Sequence, residues 1–198
     1  MQDQFQSKID VRVMILNSLK ENKDIFKAIE LVKFFLKKGN KILIFGNGGS
    51  ATQSSHFASE FVNKFYFERD GLPAIALASD IANLTSIAND FDFKYVFSKQ
   101  VQAIGKKNDI SIGITTSGKS KNVIEALTIS KKLKLRTIVL CGKNVELFKK
   151  LGIDVVISVD SNDTPIIQEA HLFILHTIAE VLEKELFGKS KKKNNRIK

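Results

Sequence analysis

Apolar residues recur at helical spacing through the start of the chain. Phe5, Ile9, Val13 and Leu16 form one stripe, and Ile25, Ile29, Val32, Phe35 and Leu36 form a second. The polar run Glu21-Asn22-Lys23-Asp24 separates them, and Gly39-Asn40 supplies a C-cap after the second. From Lys41 the texture changes, and short β-rich runs alternate with longer helical ones. KILIF (41–45), PAIAL (73–77), DISIGI (109–114), RTIVL (136–140) and DVVISV (154–159) predict strands. Their nearly unbroken apolar character suits strands covered on both faces. Helices are expected between them at 50–65, 81–88, 93–104, 120–133 and 145–151. A long last helix is expected over 165–187, with Pro165 in its first turn. This alternation predicts an α/β fold: a doubly wound, five-stranded, mostly parallel sheet flanked by helices, with right-handed crossovers and N-terminal helices in front. A single domain over 1–188 holds all of it, with no internal repeat.

Composition narrows the class. The chain has 198 residues, 43% hydrophobic and 26% charged, with two Pro and eleven Gly, which excludes collagen-like, Pro-rich and wholly disordered chains. The lone cysteine, Cys141, excludes an internal disulfide and a Cys-rich zinc module. The net charge of +10 points first to an anionic partner. Six of those charges, however, sit in the last ten residues: Lys189, Lys191, Lys192, Lys193, Arg196 and Lys198. Without this basic tail (189–198), expected to be disordered, the balance is +4, ordinary for a folded domain. The tail has no aromatic to stack on a base, so nucleic acid is not the expected partner. The N-terminus MQDQFQSKID is polar where a secretory signal is apolar, and no run of about 18 apolar residues occurs. A cytoplasmic protein without a membrane partner is expected.

In such a sheet, ligands bind beyond the carboxyl ends of the strands. Two loops there are unusual. Gly46-Asn47-Gly48-Gly49-Ser50 follows KILIF and opens a helix, so its glycines allow close backbone approach and the helix N–H groups favour an anion. It is an incomplete dinucleotide fingerprint, because no acid ends the next strand-like run at the ribose position. A tight strand–helix turn explains the loop as well. The second loop, Gly113 to Ser120 (GITTSGKS), matches the nucleotide-binding pattern G-x-x-x-x-G-K-[ST], with Asp160 as a candidate magnesium-side acid. Against that reading, the loop follows the third strand rather than the first. Its hydroxyls, Thr115, Thr116, Ser117 and Ser120, can hold a phosphate without nucleotide or magnesium. The local pattern fits both. A third polar site, Asn89-Asp90 after a short helix, reads either as a sugar-hydroxyl contact or as a helix cap before Phe91.

Two helices carry groups able to do chemistry. His56 and Glu60, four residues apart, share one helix face and read as a metal pair, an acid/base pair or a surface i,i+4 contact. Gln168 and His176 lie on the last helix, offset by roughly 80°, so they can line one cleft two turns apart. His171 between them is turned away from His176 and reads as a core histidine.

Taken together, GNGGS, HFASE, AND, GITTSGKS and IQEAH followed by LH resemble the SIS-domain phosphoheptose isomerases, in order and spacing, from about Phe5 to Phe187. In that pattern the position of Lys119 is variable, so the nucleotide-loop match becomes a coincidence. The resemblance implies an aldose–ketose isomerase that interconverts D-sedoheptulose 7-phosphate and D-glycero-D-manno-heptose 7-phosphate through an enediol(ate). This is the entry step to the heptose of bacterial lipopolysaccharide and other heptose glycans. It implies that Ser50, Thr115, Thr116, Ser117 and Ser120 bind phosphate, and that Asn47, Gly48, Gly49, Asn89 and Asp90 position the sugar. It implies zinc ligands at His56, Glu60, Gln168 and His176, with Glu60 and His176 also the acid/base pair. It implies a homotetramer with sites shared between subunits.

The chain departs from the pattern at Lys64, where an Arg is usual, at Ile166, where an Arg usually precedes Ile-Gln, and at Thr115, where Ser is usual. The alternatives are a non-catalytic SIS protein that binds a replication initiator, a sugar-phosphate sensor, and a P-loop nucleotide binder. The presence of Glu60, Gln168 and His176 together favours the enzyme.

Overall fold

The computed structural model describes residues 2–188, and the basic tail lies outside the described residues. Helices α1 (Gln2–Ser18) and α2 (Lys23–Leu36) are joined by a 3-10 turn, Leu19–Glu21. Then follow β1 (Ile42–Gly46), α3 (Gly49–Val62), β2 (Ala74–Ala76), α4 (Ile81–Asp90), a 3-10 turn (Phe93–Tyr95) and α5 (Ser98–Ile104). The second half adds β3 (Ile110–Thr115), α6 (Lys121–Lys132), β4 (Arg136–Cys141), α7 (Glu146–Lys150), β5 (Val155–Ser158) and α8 (Thr164–Phe187). All five strands are parallel, in the order β2-β1-β3-β4-β5. This is the doubly wound sheet that the alternation predicts.

The strands read as continuous apolar runs because both faces are covered. Along β1, Ile42 and Ile44 face one core with α2, α3 and α8, while Leu43 and Phe45 face another with α5 and α6. Every residue of β1 and β3 is buried, and each such Ile or Leu contributes about 1.5–3 kcal/mol. Mid-strand in β3, buried Ser111 is satisfied by Ser130 Oγ of α6 at 2.7 Å.

Two helix boundaries differ from expectation by three residues or more. The helix expected to reach 65 ends at Val62, because the following segment is drawn onto α8 by backbone hydrogen bonds to Glu183. The helix expected over 93–104 splits into the 3-10 turn and α5, since Asp92 caps the turn through Lys94 N–H at 2.7 Å.

The apolar stripe of α1 faces away from its own chain. Ile15 is the buried residue of α1, whereas Phe5 is 67% and Val13 51% exposed.

Candidate functional site

The chain runs outward from β1 to β2 on one side and from β3 to β5 on the other, so the topological switch lies between β1 and β3. Both unusual loops emerge there. Gly46 pairs with Ile114 in the ladder, and the N-termini of α3 and α6 follow these two strands. Asn47 and Asn122 join the loops through a doubly hydrogen-bonded amide pair, each Nδ2 donating to the other's Oδ1 at 2.8 Å. Asn122 also accepts from Val123 N–H at 2.9 Å and is buried. Its only signal in the sequence is a polar residue where α6 begins an apolar face.

The second loop is built from its own hydroxyls. Thr115 Oγ1 lies 3.0 Å from Ser120 Oγ and accepts from Gly118 N–H at 3.2 Å, while Ser117 Oγ accepts from Lys119 N–H at 3.1 Å. Gly118 has φ +68, and a Cβ there would meet the Asn144 carbonyl at 2.8 Å, so only glycine fits. Lys119 is exposed, and Asp160 pairs with Lys143 beyond the edge strand β5, two strands from this loop. The candidate acid Asp160 is thus engaged with Lys143.

At the first loop, Gly49 makes room for Gln168, whose Nε2 would lie 2.5 Å from a Cβ at that position. Gln53 Nε2 donates to the Gln168 carbonyl at 2.6 Å, which ties α3 to the start of α8. Ser50 is buried in the first turn of α3.

One turn to two turns further along α3, three donors converge. His56 Nε2 lies 2.8 Å from His176 Nε2 and 3.2 Å from Glu60 Oε1, and the ligand atoms of His56, Glu60 and His176 all lie within 4.8 Å of one another. His56 is half-exposed and Glu60 mostly shielded. Two imidazole nitrogens and a carboxylate oxygen on one point, open on one side, form a donor set suited to a catalytic divalent metal. Gln168 stands at Gly49, two turns or about 12 Å of rise before His176 on α8.

Asn89 and Asp90 close α4 rather than follow it. They are exposed and bonded to each other at 2.9 Å, and Asp90 is not among the carboxylates that converge on the histidines. They stand at the C-terminal end of α4, the helix that follows the edge strand β2.

His171 is fully buried, and its Nε2 donates to the Cys141 carbonyl at 3.3 Å while Nδ1 is buried without a partner. Burial lowers its pKa from 6.5 to about 4, and burial pushes the Cys141 thiol up to about 12, which makes it inert. In the unfolded chain His171 takes up a proton near pH 6.5, which the folded chain refuses until about pH 4. Its contribution is therefore complete above that upper value and falls as pH drops through the window. We expect acid to cost roughly 3 kcal/mol through this residue. Urea titrations from pH 7 to pH 4 check it: His171→Phe should flatten the fall, and an unchanged slope would refute the assignment.

Comparison with known proteins fits this geometry. Residues 9–142 match the SIS domain family. The phosphoheptose isomerase of Thermodesulfovibrio yellowstonii is 51% identical over 170 residues, covering 85% of this chain and 84% of that protein. The phosphoheptose isomerase of Clostridium acetobutylicum is 43% identical, over 93% and 94% of the two chains. The solved structure of a phosphoheptose isomerase from Francisella tularensis superposes with a TM-score of 0.87 at 32% identity, covering 92% of this chain and 98% of that one.

Proposed function

The chain belongs to the SIS-domain family and stands among its phosphoheptose isomerases, and on that premise we propose that it interconverts D-sedoheptulose 7-phosphate and D-glycero-D-manno-heptose 7-phosphate. The observation that carries this reading is the convergence of His56, Glu60 and His176 on the helix pair that opens at the glycine loop.

The substrate phosphate is held by Ser50, Thr115, Thr116, Ser117 and Ser120, aided by the N-termini of α3 and α6. Asn47, Gly48 and Gly49 line the sugar chain, with Asn89 and Asp90 from the end of α4. Binding energy from the distant phosphate holds the reacting carbons in place. Glu60 removes a proton from one carbon and returns it to its neighbour. His176 protonates the carbonyl oxygen as the enediol forms and takes the proton of the neighbouring hydroxyl as that oxygen becomes the new carbonyl. The N,N,O donor set fits zinc, with Gln168 as a fourth ligand, and zinc supplies Lewis-acid stabilisation of the developing oxyanion. The product enters the synthesis of nucleotide-activated heptose in the cytoplasm. Among the described residues, no helix is long and apolar enough to cross a membrane.

Incubation with sedoheptulose 7-phosphate should yield the aldose 7-phosphate, with activity lost on chelation, regained with zinc, and retained in Lys119→Ala. No turnover with zinc supplied, together with magnesium-dependent ATP binding, would overturn the reading.

A homotetramer with shared sites accounts for the apolar surface. The outward stripe of α1 and the exposed α4, which has no buried residue and leaves Ile81 73% exposed, are faces a second copy would cover. Light scattering should give a tetramer mass that falls in Val13→Glu. A monomeric wild type would refute it.

A further inference from the structure

Helices α3 and α8 carry the converging donors, and a buried ion pair fastens them beyond that group. Arg69 and Glu183 are 3% and 2% exposed and meet at 2.8 Å. The guanidinium reaches further: Nη2 donates to the Glu60 carbonyl at 2.7 Å, and Nη1 to the carbonyls of Phe61, Asn63 and Asp70 at 2.9, 3.2 and 3.0 Å. These include the orphan carbonyls of the last turn of α3, so the side chain caps that helix in trans. Glu183 in turn accepts the backbone N–H groups of Phe65 at 2.8 Å, Tyr66 at 2.5 Å and Phe67 at 3.0 Å. Despite burial, these bonds and Arg69 hold its carboxyl below the usual range. The loop so pinned sets the Phe65 ring 6.0 Å from the His176 ring. At the other end of the helix pair, Gln53 binds the Gln168 carbonyl.

We infer that Arg69 and Glu183 are positioning residues for the reaction: they fix Glu60 through its backbone carbonyl and His176 through Phe65. Neither touches the reacting atoms. The inference rests on the proposed isomerase reading only for its kinetic arm. The geometric requirement is for a planar fork, since five donors in one plane serve a carboxylate and several carbonyls at once. Lysine keeps the charge and can meet Glu183, but it cannot span both.

The chain contains three histidines, so the imidazole NMR signals of the full, metal-free protein can be assigned one by one. At fixed pH, Arg69→Lys and Glu183→Gln should shift the His56 and His176 ring signals and leave buried His171 in place. With zinc supplied, both variants should lose about 10–100-fold in zinc affinity and in kcat, with KM for sedoheptulose 7-phosphate changed less than threefold. Unmoved His56 and His176 signals, or all three moving together in both variants, would overturn the inference. The NMR arm is read without turnover, so a wild type that fails to isomerise refutes the function and not the clamp.

Discussion

Replacing Glu60 by Gln is expected to lower kcat for sedoheptulose 7-phosphate isomerisation by about 10²–10⁴-fold, the scale of a lost general base. The amide keeps the size of the side chain but cannot take the carbon-bound proton. The fold should survive. The Glu60 carbonyl is held by Arg69, and the helix around it is anchored by Phe57, Ala58 and Phe61, all buried; none of these contacts uses the carboxylate. Phosphate binding should survive too, because the hydroxyl loop lies at the ends of β3 and α6. The KM should therefore move little while kcat collapses, which is the signature of an interaction made in the transition state. Steady-state kinetics and a thermal melt check this. A kcat within tenfold of wild type would remove Glu60 from the mechanism.

His176→Ala should have the other large effect. It deletes one of three converging donors, so zinc affinity should fall by more than the roughly 10–100-fold seen when a residue behind a ligand is lost. Activity should fall with it. The melting temperature of the metal-free protein should change little, because His176 is only partly buried and its neighbours are His56 and Phe65 at the mouth of the site. Equilibrium dialysis with zinc separates the two effects. Wild-type affinity in His176→Ala would show that the donor group is not a metal site, whatever the kinetics do.

These expectations draw unequally on sequence and fold. KILIF and DISIGI are legible as buried strands because burial on both faces leaves no room for polar residues, and β1 and β3 are indeed wholly buried. The two loops are legible because glycine and hydroxyl clusters after a strand have few other uses. Helix ends were less clear: the stop at Val62 depends on Glu183, far along the chain. The +10 charge located nothing, since most of it lies outside the described residues and the candidate phosphate loop is mostly glycine and hydroxyl.

By itself, then, the sequence determined the parallel α/β sheet, the two loops at its carboxyl edge, and the residue types available for an isomerase. Those are local properties, carried by periodicity and by short motifs. The tertiary structure decided which of them meet. His56 and His176 are 120 residues apart, and only the return of α8 across α3 brings their nitrogens to 2.8 Å. The Asn47–Asn122 pair, the Arg69–Glu183 clamp and the outward face of α1 have the same origin. Each depends on which surface a residue finds opposite it after folding, and no periodicity along the chain encodes that.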